Sequence, residues 1–346
     1  MTETPLNGYC SGAVETFTRS PISTITRALA LMLVLLTAAA CQRSTTYSGP
    51  AGTPSDTASY PNTLLLVSAG WLHDHLNDSS IRVIDLSSID DYRNGHVPGA
   101  VHLWWQDTIE VHNDVYGMMV GNSGVEQMVE DAGITPSTKV VLYDASGGRY
   151  AARFLWVLNA NGFANVSILN GGRQAWTANK FAMSTESPQV PRGHLDLKLN
   201  YDVLIGSDTV KAHLNDSGYV IVDNRTASEM QQTWYDKLAL GRIPGATTVP
   251  WPGMTVSGSV PFYASAETLA TVFHNAGVTP DKTVIVYGLD GVEAAQTYFV
   301  LKLLGYPSVQ VYDGSWAQWS TTGGLPIEPI SSAPGSGTTA STVPTP

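Results

Sequence analysis

Two glycine-containing segments are the places where this sequence could do chemistry, because each follows a short apolar run typical of a buried strand. The first comprises Asp144, Ala145, Ser146, Gly147, Gly148 and Arg149, and the second comprises Gly288, Leu289, Asp290, Gly291, Val292 and Glu293. Successive backbone N–H groups ahead of a helix form a nest that suits an anion or a thiolate. Neither segment contains a cysteine, so neither offers a thiolate nucleophile.

The polar groups of the two segments differ in charge. Asp144 has two interpretations, an aspartyl nucleophile or a structural carboxylate that accepts hydrogen bonds from loop amides, and we favour the second. Ser146 has no evident base beside it in sequence. Arg149 supplies a cation that could hold an anion weakly, whereas Asp290 and Glu293 place two carboxylates in the second segment. This pair is predicted to repel an anionic ligand.

The remaining chemical candidates favour structural roles, and no cofactor or metal site is predicted. His73 and His75 stand two residues apart in a helical stretch, where side chains diverge. His96, in a Gly-His-Val-Pro-Gly turn, is interpreted as a hydrogen-bonding structural residue. Arg225 has two open interpretations: it lines a pocket between the domains, or it is a solvated or salt-bridged arginine. Core or interdomain packing is favoured over a ligand cage for four tryptophans: Trp104, Trp105, Trp251 and Trp316.

An internal repeat organises the middle of the chain. Asp-Ala-Gly-Ile-Thr-Pro at residues 131–136 returns 144 residues later as Asn-Ala-Gly-Val-Thr-Pro at 275–280. Further blocks return in the same order: 139–143 at 283–287, 95–100 at 241–246, and 170–176 at 313–319. This order predicts a duplication.

Each copy alternates continuous β-branched runs with helical periodicity, which predicts an α/β fold with a parallel sheet flanked by helices on both faces. The predicted domains are residues 62–176 and 201–325, joined by a linker at 177–200. Residues 41–61 and 326–346 are rich in Ser, Thr, Gly and Pro, so we expect a flexible tether and a disordered tail.

The N-terminal segment predicts export. Residues 28–40 form an uncharged apolar run, too short to span a bilayer, with Arg19 and Arg27 on its N-terminal side. Small residues directly before Cys41 resemble a bacterial lipobox, which implies a signal peptide over 1–40 and a lipid anchor on Cys41. An ordinary signal peptide cut before a cysteine is the alternative. We therefore expect a lipid-anchored protein of the bacterial cell envelope, with the membrane surface as one partner.

The formal net charge is −11, and the sequence contains no run of Lys or Arg. Such a surface does not attract a phosphate backbone, so a nucleic-acid partner is not expected. The other expected partner is an unidentified ligand or protein in a cleft between the two copies.

The order and spacing of several motifs resemble the tandem-domain rhodaneses, the thiosulfate or 3-mercaptopyruvate sulfurtransferases. The similarity covers residues 64–319 and includes Gly-Arg-Ile-Pro-Gly-Ala at 241–246, Val-Pro-Trp at 249–251, Tyr-Asp-Gly-Ser-Trp at 312–316, and Asp-Asn-Arg at 223–225. The resemblance implies two rhodanese-like domains and a sulfur-carrying cysteine at the start of the second loop, with a cation five residues later. Here those positions are Gly288 and Glu293.

Three functions follow from this comparison. The favoured one is a rhodanese-like binding or scaffold module without sulfurtransferase activity. The second is an active sulfurtransferase, as the resemblance implies. The third, an ester hydrolase at Asp144, has no catalytic constellation to support it.

Overall fold

The computed structural model describes residues 60–231 and 238–330, which fold into two α/β domains. The predictions for the signal peptide, Cys41 and residues 331–346 lie outside the described residues. Within the described part, no helix is both long and apolar enough to cross a membrane.

Domain 1 contains a five-stranded, all-parallel sheet in the order β1-β7-β6-β2-β3. Its strands are β1 Leu66–Val67, β2 Ile81–Asp85, β3 Val101–His102, β6 Lys139–Tyr143 and β7 Val166–Leu169. Its helices are α1 Ala69–Asp74, α2 Ile89–Arg93, α3 Asn122–Asp131, α4 Arg149–Ala160 and α5 Gly172–Ala178. The central strand β6 is buried on both faces, as its continuous apolar run predicts.

Domain 2 repeats this architecture with the sheet order β10-β9-β11-β12-β8. Its strands are β8 Leu204–Ile205, β9 Tyr219–Asp223, β10 Thr247–Thr248, β11 Thr283–Tyr287 and β12 Val309–Tyr312. Its helices are α6 Ser207–Ala212, α7 Ala227–Gln231, α8 Ala266–Asn275, α9 Gly291–Leu303 and α10 Ser315–Trp319. Ser265 caps α8 by accepting from the Thr268 N–H. The duplicated α/β fold is confirmed.

One element has no counterpart in the sequence prediction. Strands β4 (Ile109–His112) and β5 (Val115–Met119) form an antiparallel hairpin in domain 1, after a 3-10 helix at Trp105–Thr108. Asn113 and Asp114 make its turn with positive φ angles of 51° and 64°. A two-residue Asn-Asp turn between alternating residues was the available signal.

The domains share one apolar core. Its buried residues come from the inner faces of both sheets and from α4 and α9. These two helices follow the glycine-containing segments at 144–149 and 288–293. Two smaller clusters lie on the outer faces, one in each domain. Both sheets are therefore covered on both sides, and α4 packs directly against α9.

The folded part extends beyond the predicted boundaries at both ends. Tyr60, assigned by sequence to the tether, is buried and donates a hydrogen bond to Ala264 O. Residues 326–330, assigned to the disordered tail, lie along domain 2, where Glu328 pairs with Arg242. The linker follows domain 1 closely, since the Gly193 N–H donates to Glu130 O (2.7 Å).

Candidate functional site

Asp144 fills the anion nest of the first loop (residues 144–149) with its own carboxylate. One carboxylate oxygen accepts from the Ser146 and Gly148 N–H groups, at 2.7 and 2.9 Å. The other accepts from the Tyr150 and Ala151 N–H groups, at 2.8 and 2.9 Å. These four bonds match the structural role favoured from the sequence. Ser146 itself is exposed.

Two effects act on this carboxyl group. Complete burial raises the pKa of Asp144, and the four N–H bonds oppose the rise because they stabilise the ionised form. Both oxygens face N–H donors at hydrogen-bond distance, so neither is directed at an incoming ligand. A nucleophilic role for Asp144 would require the loop to open.

Gly288 stands where Asp144 stands in the first domain, and the space beside it is occupied. A Cβ added at Gly288 would lie 2.7 Å from Asn224 Oδ1 and 2.9 Å from Asp290 O. Asn224 is fully buried, and its Nδ2 donates to Thr297 Oγ1 (3.1 Å), while its Oδ1 has no hydrogen-bond partner within the described part of the chain. A side chain at position 288 therefore requires Asn224 or the loop to move.

The second loop (residues 288–293) also carries its own anion. Asp290 caps the N-terminus of α9, with Oδ1 accepting from the Val292 N–H at 2.9 Å. Its other side faces the hairpin, because a Cβ at Gly117 would lie 2.7 Å from Asp290 Cβ. The positive end of α9 is therefore compensated by a carboxylate from within the chain.

Glu293 and Asp290 are neighbouring buried carboxyl groups. Burial raises the pKa of Glu293 to about 8, and the Asp290 carboxylate adds to the rise, whereas Arg149 opposes it. Burial likewise raises the pKa of Asp290, and a hydrogen bond joins the two carboxyl groups. Burial of these two neighbouring carboxyl groups therefore favours retention of a proton on the pair. The anion repulsion expected from two ionised carboxylates is reduced accordingly.

Arg149 lies across the domain boundary from this pair. Its guanidinium is 3.3 Å from Glu293 Oε1, and both side chains are mostly buried. The two residues hold equivalent positions in the repeat, 144 residues apart. Arg149, the cation of the first loop, is thus paired with Glu293, which occupies the equivalent position in the second loop.

The two loops bind each other's helices reciprocally. Arg153 in α4 donates to Gly291 O (3.0 Å) in the second loop, and Gln296 in α9 donates to Gly147 O (3.0 Å) in the first. Gly147 and Gly291 are equivalent in the repeat. Contacts of this kind fix the loops against each other across the domain boundary.

Arg153 is the centre of this boundary and was missed in the sequence. It is fully buried, forms a 2.6 Å ion pair with Asp313, and donates to Gly117 O of the hairpin (3.0 Å). Asp313 also accepts from the Met119 N–H (2.6 Å). The available signal was an arginine inside an otherwise apolar helix, since a buried charge needs a partner.

Arg225 lies inside domain 2 rather than in the cleft between domains. Its side chain pairs with Asp223 (2.6 Å), donates to Gly241 O (2.8 Å), and packs under the Trp316 ring at 4.4 Å. Tyr287 donates to the same Asp223 (2.5 Å). The salt-bridged alternative for Arg225 is the observed arrangement.

The histidines singled out in the sequence make separate contacts. His96 is fully buried, stacks on Tyr92, and has one ring nitrogen 2.9 Å from Tyr92 O. His73 stacks on Phe181, whereas His75 stacks on Trp71. The two are therefore directed to different neighbours. Among the residues described, no group of His, Cys, Asp and Glu could hold a metal ion.

Comparison with known proteins agrees with this architecture. The sulfur carrier protein TtuD of Thermus thermophilus is 32% identical, covering 78% of this chain and 98% of that protein. A thiosulfate sulfurtransferase of Pseudomonas aeruginosa is 31% identical, covering 76% and 97%. The solved structure of the 3-mercaptopyruvate sulfurtransferase SseA from Escherichia coli superimposes with a TM-score of 0.66 at 28% identity, covering 72% and 98%.

A more distant likeness shows the fold alone. The anaerobic ergothioneine biosynthesis enzyme of Chlorobium limicola superimposes with a TM-score of 0.68 at 24% identity, covering 78% of this chain and 71% of that one. Residues 68–179 and 207–322 each match the rhodanese-like domain. The chain therefore belongs to the rhodanese family, with two rhodanese-like domains in tandem.

Proposed function

We propose that this protein is an exported, lipid-anchored rhodanese-like binding module that does not transfer sulfur through a cysteine persulfide. The observation that carries the proposal is Gly288. It offers no thiol, and the space where its side chain would begin is closed by Asn224 and Asp290. A persulfide mechanism needs a thiolate at the nest, and both nests hold aspartates of the chain instead.

An active sulfurtransferase is the second candidate, and the names of the curated relatives favour it. Fold and family membership do not by themselves supply a nucleophile. The chain has two cysteines, Cys10 and Cys41, and both precede the first rhodanese-like match at residue 68. Activity would therefore require a nucleophile other than a cysteine of either domain.

The sulfur-transfer assay decides between the two. Purified protein is expected to transfer no sulfur from thiosulfate or 3-mercaptopyruvate to cyanide above a buffer blank. Gly288→Cys is expected to give a thiol that alkylates slowly and turns over little, because Asn224 must move and Asp290 opposes the thiolate.

Gly288→Ser is the matched control, since it adds a side chain of similar size without a thiol. A gain in activity shared by both variants would arise from loop opening rather than from sulfur chemistry. Activity in the unchanged protein would show that the proposal is wrong.

The anchor is tested separately. The mature protein is expected to partition with membranes, and Cys41→Ser is expected to release it or block processing, because the acyl chains would have no attachment point. Cys10→Ser, ahead of the apolar run, is the control and should leave partitioning unchanged. Mass spectrometry that finds Cys41 unmodified at the mature N-terminus would contradict the anchor.

A further inference from the structure

The guanidinium of Arg149 lies over two aromatic rings that come from different domains. Its central carbon is 4.6 Å from the ring centre of Tyr150 in α4 and 5.2 Å from that of Trp251 in domain 2. Glu293 completes the surroundings at 3.3 Å. We call Tyr150, Trp251 and Glu293 the aromatic box. Two ring faces and a carboxyl group are the surroundings that bind a large, weakly hydrated cation.

The rings of the aromatic box are held by contacts that do not involve Arg149. Trp105 stacks on Tyr150 with ring centres 4.2 Å apart and planes 6° from parallel. The indole N–H of Trp251 donates to Glu229 (3.2 Å), and its backbone N–H donates to Asn224 O (2.9 Å). The box is therefore preorganised, and removing Arg149 should leave both rings in position.

Arg149 does not use all of its hydrogen-bond donors in the box. Its guanidinium makes the pair with Glu293 and one bond to the Tyr150 hydroxyl (2.6 Å). Its Nε is buried and has no hydrogen-bond partner among residues 60–231 and 238–330. Its side chain retains 25% of its exposure, so it reaches solvent at the edge of the box. A competing cation could replace it without unfolding the loop.

The groups that form the box favour a cation over an anion. Glu293 is part of it, Glu229 accepts from the Trp251 indole N–H, and the Arg149 guanidinium lies over both rings. A negatively charged ligand would meet the electron-rich ring faces and the carboxylate of Glu229, both of which oppose it. A cation meets the same groups favourably.

We propose that the aromatic box is a binding site for a guanidinium or quaternary ammonium group, and that Arg149 occupies it in the resting protein. The ligand is a small molecule or side chain that carries such a cation and displaces Arg149. This inference names the ligand class of the binding module proposed above and rests on that proposal.

The test uses choline as the quaternary ammonium probe and 3,3-dimethyl-1-butanol as its neutral counterpart of the same shape. Isothermal titration at constant ionic strength compares the unchanged protein with Arg149→Ala. The variant is expected to bind choline about tenfold more tightly than the unchanged protein does, and about tenfold more tightly than it binds the neutral alcohol. Arg149→Ala combined with Trp251→Ala should lose the gain.

Arg242→Ala is the matched control, because Arg242 is also a half-buried arginine paired with a glutamate in domain 2. An equal gain in that variant, an Arg149→Ala protein no better than the unchanged one, or equal binding of the neutral alcohol would each overturn the inference. If near-ultraviolet circular dichroism shows that Arg149→Ala is not folded, Arg149→Met keeps the aliphatic stem and carries the same expectations.

The two proposals fail separately. Sulfur transfer by the unchanged protein would contradict the proposed inactivity and leave the choline measurements unaffected. Absence of cation binding would overturn the aromatic box as a ligand site and leave the inactivity intact.

Discussion

Replacing Arg153 with alanine is expected to lower the free energy of unfolding by about 3–5 kcal/mol. The substitution leaves the Asp313 carboxylate buried without its 2.6 Å partner, and it removes the donors to Gly117 O and Gly291 O. The loss should also loosen the domain boundary, because these acceptors belong to the hairpin and to the second loop. Chemical denaturation followed by tryptophan fluorescence measures the first effect.

Arg192→Ala is the control for this prediction. Arg192 also pairs with carboxylates, Glu130 and Asp131, but its side chain is 60% exposed. Solvent screening makes such a pair worth little, so we expect a change below about 1 kcal/mol. If the two variants unfold alike, the buried pair does not stabilise the boundary in the way its geometry indicates.

Asp144→Ala should lower the free energy of unfolding by about 3 kcal/mol or more, because four N–H groups lose their acceptor at once. Asp144→Asn should lose nearly as much, since one end of its amide would present donors to two of these N–H groups. Thermal unfolding of both variants measures the effect.

The matched control is Asp78→Ala. Asp78 accepts from the Ser80 N–H (2.9 Å) in a turn of the same kind, but on the exposed surface, where water replaces the lost acceptor. We expect little change. A similar loss in the Asp78 and Asp144 variants would show that burial of the first loop is not what makes its carboxylate important.

The duplication and the parallel sheets could be predicted because short stretches of the sequence indicate both. Runs such as Thr283–Tyr287 are continuous and β-branched, and the repeated blocks keep their spacing. The hairpin at 109–119 was missed because its strands are half exposed and their alternation is weak. Its turn residues Asn113 and Asp114 were the stronger signal.

The candidate site could be located from sequence, but its electrostatics could not. In the sequence alone, Asp290 and Glu293 count as two ionised carboxylates. Their burial depends on packing against the other domain, which the sequence does not show. Burial raises the pKa of both carboxyl groups, which no linear spacing indicates. Arg153 and Gln296 bind across the boundary, and their partners lie 138 to 160 residues away in the chain.

The contact between Arg149 and Glu293 joins one position of the repeat to its own counterpart. In a twofold-symmetric dimer, a residue that meets its counterpart meets an identical side chain, so this contact would hold two arginines or two glutamates. Opposite charges require two different sequences, and a tandem chain provides them because each half mutates independently. The halves have therefore ceased to be interchangeable: a protein assembled from two copies of either half would place like charges face to face at its centre.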